Sequence, residues 1–290
     1  MIVRKHPKSC PISYLCELAQ VSRSGFYAWL KAANRRCQRD ENDRGNLKII
    51  QEIFLKSNKK SGWRTIKMHA ENNYGVVMNH KRILRIMRMF HLMTTIRRAN
   101  PYRKLAKATQ VHKAVPNLLE RKFDQQEPQK VFLTDITYLY YVDGRKAYLS
   151  AVKDGSTREV LAHYLSTSLE MDIVLKTLDH LQETLGGNIH PEAIIHSDQG
   201  FHYTHPDFQQ RLKDLSITQS MSRKGNCLDN ASMESFFGHM KDEIDIKECQ
   251  SFTELRNTVD EYIEYYNCHR YQWGLKKMTP NQYRDHLIVA

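Results

Sequence analysis

Hydrophobic positions in the first part of the chain recur at helical spacing. Apolar side chains within 12–19 and again within 26–30 lie three and four residues apart, which is the period of one face of a helix. The segment between them, 21–25, contains two serines and a glycine and predicts a turn. Such an outline fits a helix-turn-helix (HTH) motif and a plain helical hairpin equally well. We therefore expect residues 1–45 to form an N-terminal, HTH-like helical leader.

A second helical block covers residues 46–98. Its apolar positions predict three amphipathic helices, and Asn79 is a suitable N-cap for the third. Four cations with no acid between them follow this cap: Lys81, Arg82, Arg85 and Arg88. A solvated face is the ordinary explanation of a charge row, but like charges repel one another unless phosphates neutralise them. We therefore predict that 46–98 is a helical DNA-binding region in which this row contacts DNA.

The pattern changes after a polar, basic stretch at 99–130, which contains three prolines and predicts a linker, assigned to 99–127. The segment 131–142 is rich in β-branched and aromatic residues and ends at Asp143-Gly144, a strong hairpin signal. Two further strands are predicted at 146–152 and 159–165.

Helices and strands alternate in the remaining sequence. We predict helices at 171–185, 206–215 and 231–246, and strands at 193–196 and 217–221. Three antiparallel strands followed by this alternation predict an α/β fold with a mixed sheet. The core is expected over 128–248, followed by a C-terminal helical tail over 249–290.

Charge is divided unevenly along the 290 residues. The chain carries a net charge of +12, but residues 1–127 hold 27 Lys and Arg against 9 Asp and Glu, whereas the remainder holds 17 against 23. No apolar run approaches a membrane span of about 18 residues, and no secretory leader is recognisable. The six cysteines show no CxxC or zinc-finger spacing, so we expect neither structural zinc nor disulfides. These features predict a soluble cytoplasmic chain whose front half binds a polyanion.

Three acids occupy positions that suggest a common site. Asp135 lies inside the first predicted strand, where an unpaired carboxylate is costly, and Asp198 follows a short buried strand at its carboxyl end. Glu234 lies in the first turn of a predicted helix, and Lys241 follows seven residues later on the same face. Converging carboxylates would bind hard cations such as Mg²⁺, which support in-line phosphoryl displacement. Lys241 would then bind a substrate phosphate beside the metal.

Each acid has a plainer explanation when it is taken alone. Asp198 would serve as a cap at the end of a strand, and Glu234 would be an exposed helix residue. For single residues the plainer explanation is favoured, whereas the ordered set of three acids with a lysine favours a metal site.

The chain resembles the OrfB-type transposases of bacterial insertion sequences, which belong to the DDE or retroviral-integrase superfamily. The resemblance extends over nearly the whole chain and includes 35 residues between Asp198 and Glu234. The segments that carry it are TDITY at 134–138, HSDQG at 196–200 with Tyr203, SMSRKGNCLDNA at 220–231, ESFF at 234–237 with Lys241, and YYN at 265–267 with Arg270.

This resemblance implies an RNase H-like catalytic core that cleaves DNA at the ends of an insertion sequence and joins it to a target. It implies that Asp135, Asp198 and Glu234 are both the catalytic residues and the ligands of Mg²⁺, with Mn²⁺ as a substitute. The implied partners are double-stranded DNA of the terminal inverted repeats and of the target, and further copies of the chain. An upstream OrfA-type HTH protein, joined as a fusion or bound as a complex, is another implied partner, and the bacterial nucleoid is the expected location.

Three further residues near the acids are candidates for DNA contact. Arg223 and Lys224 lie in a loop before the catalytic helix, where they would hold the DNA backbone. Asn230 would contact the metal site or DNA, or cap the helix.

Three hypotheses therefore remain at this stage. The first is a metal-dependent transposase in which water, and then a freed 3′-hydroxyl, attacks phosphodiesters. The second is a domesticated structure-specific nuclease of the same fold, which would cut DNA without joining it. The third is a non-catalytic DNA-binding protein, which would bind neither Mg²⁺ nor Mn²⁺.

Overall fold

The structure is a computed structural model, and it describes residues 11–95, 115–120, 122–223 and 227–289. The chain divides into two compact units, the first ending at Met93 and the second beginning at Thr94. No helix within the described ranges is long and apolar enough to cross a membrane.

The first unit is helical. Its elements are α1 (Ile12–Leu18), α2 (Arg23–Lys31), α3 (Ala33–Lys56), α4 (Trp63–Tyr74) and α5 (His80–Met89). The predicted N-cap is confirmed, because the Asn79 side chain accepts a hydrogen bond of 2.9 Å from the Lys81 amide. Buried isoleucines from three helices form the core: Ile50, Ile53, Ile66, Ile83 and Ile86.

Helix α3 runs without a break through the expected boundary between residues 45 and 46. Its first half is largely polar and exposed, and buried apolar side chains begin only at Ile50. An exposed half-helix of this kind carries no apolar periodicity, which is why the sequence pattern placed the boundary at the start of the apolar half.

The second unit contains a five-stranded mixed sheet, as predicted. Its strands are β1 (Val131–Tyr140), β2 (Lys146–Asp154), β3 (Val160–Ser166), β4 (Ile194–Ser197) and β5 (Thr218–Met221), in the order β3-β2-β1-β4-β5. Strands β1, β2 and β3 pair antiparallel, whereas β4 is parallel to both β1 and β5. The hairpin predicted at Asp143-Gly144 is confirmed, and both residues adopt positive φ angles, 52° and 73°.

Helices cover both faces of this sheet. They are α6 (Asp172–Thr184), α7 (Phe201–Thr204), α8 (Pro206–Asp214), α9 (Ala231–Glu243), α10 (Phe252–Cys268) and α11 (Pro280–Val289). Alternate side chains of β1 point to opposite faces. Phe132 packs with residues of α6 and α8, whereas Leu133 packs with residues of α9 and α10. The result is a three-layer arrangement with two hydrophobic cores.

Two predicted segments are joined closely to the sheet layers. In the second half of the expected linker, Leu119 is buried in the core shared with α9, and the Leu118 amide donates to Ser220 Oγ at 2.9 Å. In the expected tail, α10 contributes Leu255 and Val259 to the same core. Apolar side chains therefore bind both segments to the second unit, while residues 99–114 of the expected linker lie outside the described residues.

Candidate active site

Strand register places Asp135 and Asp198 at one level of the sheet. Leu133 of β1 pairs with His196 of β4 in parallel orientation, and each acid lies two residues beyond its paired neighbour. Side chains two apart along a strand share a face, and adjacent parallel strands end at the same edge. The two carboxylates are therefore neighbours at the carboxyl end of β4.

Backbone amides orient both of these carboxylates. The Ile136 amide donates to Asp135 Oδ1 at 2.8 Å, and the Gly200 amide donates to Asp198 Oδ1 at 2.8 Å. A Cβ atom on Gly200 would lie only 2.8 Å from that same Asp198 oxygen. Glycine at position 200 therefore leaves the room that the Asp198 carboxylate occupies.

The electrostatic environment of Asp135 is unusual for an aspartate. Burial raises its pKa to about 7, and the negative charges of Asp198 and Glu234 act in the same direction. Burial also raises the pKa of Asp198. Within the described part of the chain, no lysine or arginine forms an ion pair with Asp135, Asp198 or Glu234. A group of carboxylates with no lysine or arginine paired to it suits a bound cation.

The start of α9 approaches Asp135. Asn230 is the N-cap residue, but its side chain makes no capping hydrogen bond and instead lies close enough to the Asp135 carboxylate to lower the pKa of that group. Glu234 lies in the first turn of α9 with an exposed side chain, close enough for its charge to raise the pKa of Asp135. Contact of Asn230 with a bound metal or with DNA stays a prediction.

The three acids do not yet form a closed coordination group. Among the residues that the structure describes, no three His, Cys, Asp or Glu side chains are grouped so that they could hold a metal ion as they stand. The donor set itself fits Mg²⁺ or Mn²⁺, because it consists of carboxylate oxygens whose mutual repulsion a divalent cation would relieve. Their assignment as ligands and catalytic residues stays a prediction.

Lys241 contacts the same edge of the sheet. Its ammonium hydrogen-bonds to Thr137 Oγ1, two residues beyond Asp135 on β1. Lys241 is half-buried in the last turn of α9. The predicted phosphate contact would therefore lie close to the acids.

The loop before α9 is attached through a buried acid. The Asp229 carboxylate accepts hydrogen bonds from the backbone and guanidinium of Arg223 at 3.1–3.2 Å, and from the Asn117 amide at 3.2 Å. Arg223 thus has an intramolecular partner that the sequence did not predict, although its side chain is still 57% exposed. Its contact with DNA stays a prediction, and Lys224 lies outside the described residues.

The basic row of α5 has a counter-ion that the sequence pattern missed. Asp43 of α3 pairs with Arg82 at 2.9 Å and with Arg85 at 2.5 Å. Burial by itself raises the pKa of Asp43, but hydrogen bonds from both arginines outweigh it and hold the pKa below its ordinary value. The expectation that only phosphates could neutralise this row was wrong, because an acid 39 residues before Arg82 does so in part.

The rest of this surface is strongly basic. Lys81 and Arg88 remain exposed on α5. A concave surface between α3 and α5 is lined by five cations and three amides, namely Arg35, Arg39, Lys81, Arg82, Arg85, Gln38, Asn42 and Asn79. Such a surface has the chemistry of a polyanion-binding groove.

Sequence reasoning also missed a buried lysine beside α9. Lys153 of β2 is 2% exposed, and its ammonium donates to the Ser232 carbonyl and hydroxyl. The available signal was a lone lysine at the end of an apolar strand.

Three protein families match segments of the chain. The Integrase core domain family matches residues 125–227, a second Integrase core domain family matches 234–288, and an HTH-like domain family matches 40–100. The first match contains Asp135 and Asp198, and the second begins at Glu234.

Several known proteins are similar to this chain. The putative transposase InsK for insertion sequence element IS150 of Escherichia coli K12 is 38% identical over 280 residues, covering 95% of this chain and 94% of that protein. Transposase InsF for insertion sequence IS3A of the same organism is 30% identical, covering 98% of each. Among solved structures, the HTLV-2 integrase catalytic core domain in complex with magnesium is 14% identical, with a TM-score of 0.39 over 54% of this chain and 97% of that one.

Proposed function

Since this chain belongs to the insertion-sequence transposases of the DDE/integrase superfamily, we propose that it cleaves and joins DNA strands at the ends of an insertion sequence, using Asp135, Asp198 and Glu234. The observation that carries this proposal is the register of β1 and β4, which sets Asp135 and Asp198 side by side. Glu234 is close enough for its charge to raise the pKa of Asp135.

The carboxylates have a defined part in this chemistry. Mg²⁺ or Mn²⁺, when bound, would activate the attacking hydroxyl and stabilise the leaving oxygen. Asp135 and Asp198, oriented by backbone amides, would supply fixed ligands, and Glu234 would close the ligand set from α9. Lys241 would hold a phosphate of the substrate at the same edge, two residues beyond Asp135.

The first unit would bind the DNA. The HTH-like family match and the basic surface between α3 and α5 support this role. Terminal inverted repeats and target DNA are the proposed ligands, bound by more than one copy of the chain. An upstream OrfA-type protein as partner, and association with the nucleoid, belong to the same proposal.

The test combines a labelled element end, a target duplex and Mg²⁺ with the full-length chain. Glu234→Gln keeps the shape of the side chain but removes its charge, so we expect loss of both 3′-end cleavage and strand transfer. Glu261→Gln, on the exposed side of α10, is the matched control and should retain both activities.

Two outcomes would overturn the proposal. Normal cleavage by Glu234→Gln would remove this acid from the chemistry. If the unmodified chain cleaves the DNA but forms no strand-transfer product, it is a nuclease rather than a transposase.

A further inference from the structure

Lys153 is a buried lysine whose hydrogen bonds both reach one residue of α9. Its ammonium donates to the Ser232 carbonyl oxygen at 2.7 Å and to Ser232 Oγ at 2.9 Å. The Phe236 ring lies 5.9 Å from the same nitrogen. Within the described residues, no carboxylate forms an ion pair with it.

This arrangement is costly for the stability of the fold. Burial lowers the pKa of Lys153 to about 7, and the charge of Arg158 acts in the same direction. The ammonium also lies at the N-terminal turn of α9, where the helix dipole is positive and disfavours a cation. An apolar side chain of similar length would fill the space without these penalties. Stability therefore does not explain a lysine at this position.

The contact acts on the helix that carries Glu234. Ser232 and Glu234 are two residues apart, which is about 200° around the helix axis at about 100° per residue. The hydrogen bonds from Lys153 therefore hold one side of α9, and Glu234 projects from the opposite side. Apolar contacts such as those of Met233 and Met240 in the core are non-directional. Polar bonds to the sheet have fixed directions and therefore restrict further how α9 is rotated about its axis.

A second polar bond holds the opposite flank. Lys241, on the face of Glu234, hydrogen-bonds to Thr137 of β1, while Lys153 reaches α9 from β2. Helix α9 is thus held to two adjacent strands, by Lys153 of β2 and by its own Lys241, which reaches β1. The bond from Lys153 is at the N-terminal end, one half-turn from Glu234.

We propose that Lys153 is a positioning residue, which holds Ser232 so that Glu234 faces Asp135 and Asp198. This inference rests on the metal site proposed above. It concerns only the direction in which the Glu234 side chain points. Lys153 itself would touch neither substrate nor metal.

The test measures Mn²⁺ binding to the full-length chain by calorimetry, alongside the cleavage rate. Lys153→Met should remain folded, with an unchanged or higher melting temperature in metal-free buffer. Its Kd for Mn²⁺ should rise about tenfold, the usual effect of removing a residue that orients a metal ligand. Lys213→Met, on the exposed side of α8, is the control and should bind Mn²⁺ like the unmodified chain.

A double-mutant comparison separates positioning from a general structural effect. In the Glu234→Gln background, Lys153→Met should weaken Mn²⁺ binding no further, because the carboxylate that Lys153 would position is already absent. An equal loss in both backgrounds would overturn the proposal, and so would a Kd for Lys153→Met that matches the unmodified chain.

If Lys153→Met does not fold, a second variant tests the same proposal. Ser232→Ala removes one of the two acceptors, and its Kd should rise about threefold, as expected for one hydrogen bond. An unchanged Kd for Ser232→Ala would then overturn the proposal. If the unmodified chain binds no Mn²⁺ at all, the proposed metal site fails, which is a different result from a failure of Lys153 alone.

Discussion

The side chain of Asn230, at the N-cap of α9, lies close enough to the carboxylate of Asp135 on β1 to lower the pKa of that carboxyl group. This proximity brings the start of the helix that bears Glu234 next to the first acid of the proposed site. It also favours the ionised form of Asp135, because it lowers a pKa that burial and neighbouring charges raise. The ionisation of Asp135 therefore depends in part on the Asn230 amide.

Removing this amide should weaken metal binding in a pH-dependent way. In Asn230→Ala, the pKa of Asp135 should rise further, so that a proton competes more strongly with the cation. We expect a severalfold higher Kd for Mn²⁺ at pH 6.5 and a smaller difference at pH 8.5, both measured by calorimetry. Asn188→Ala, at an exposed position after α6, should show no change. A loss of equal size at both pH values would contradict this account.

The raised pKa of Asp135 predicts how stability varies with pH in metal-free buffer. Folded Asp135 keeps its proton up to about pH 7, whereas the unfolded chain loses it near pH 4. Because the folded state binds the extra proton in this window, its contribution to stability falls as pH rises from about 4 to above 7.

Asp135→Asn removes this penalty, so its melting temperature should exceed that of the unmodified chain by an amount that grows between pH 5 and pH 8. Scanning calorimetry in EDTA measures the difference. A difference that does not vary with pH would show that Asp135 does not titrate in this window.

Gly200 provides a test of how tightly the Asp198 carboxylate must be held. In Gly200→Ala, the new Cβ atom would lie 2.8 Å from Asp198 Oδ1 and force the carboxylate to move. We expect Mg²⁺-dependent cleavage to fall by about tenfold or more, because small displacements at a reacting centre are costly. Gly238→Ala on α9, where a Cβ would contact nothing within 4 Å, should retain cleavage. Equal rates for the two variants would exclude this steric constraint.

Asp43 stabilises the basic surface of the first unit. Asp43→Asn would leave Arg82 and Arg85 without their shared carboxylate and should lower the free energy of unfolding by about 2 kcal/mol. It should also strengthen DNA binding at low salt, with a steeper salt dependence, if α5 contacts phosphates. Urea unfolding and binding titrations at several salt concentrations measure the two effects.

Asp40→Asn is a matched control, because it makes the same charge change where the side chain is 62% exposed. It should leave stability nearly unchanged, since exposed ion pairs contribute little. If both variants alter DNA binding equally, net charge rather than the two released arginines is responsible.

The sequence by itself determined most elements of the second unit and predicted the three acids of the proposed site. Apolar alternation places β1, β2 and β3 close to their observed bounds because each strand buries one face or both. Asp135, Asp198 and Glu234 each have a plainer explanation when taken singly, and it is their order along the chain with Lys241, together with the resemblance of the motifs around them, that predicts a common metal site.

Only the tertiary structure decided how these residues meet. The pairing of Leu133 with His196 brings Asp135 and Asp198 to the same height along their neighbouring strands. No local sequence pattern specifies the register between strands that are more than 50 residues apart in sequence. The same holds for Asp43 beside Arg82 and for Lys153 beneath Ser232. Local preferences determine helices and strands, whereas the partner of a buried charge depends on which distant segments pack together.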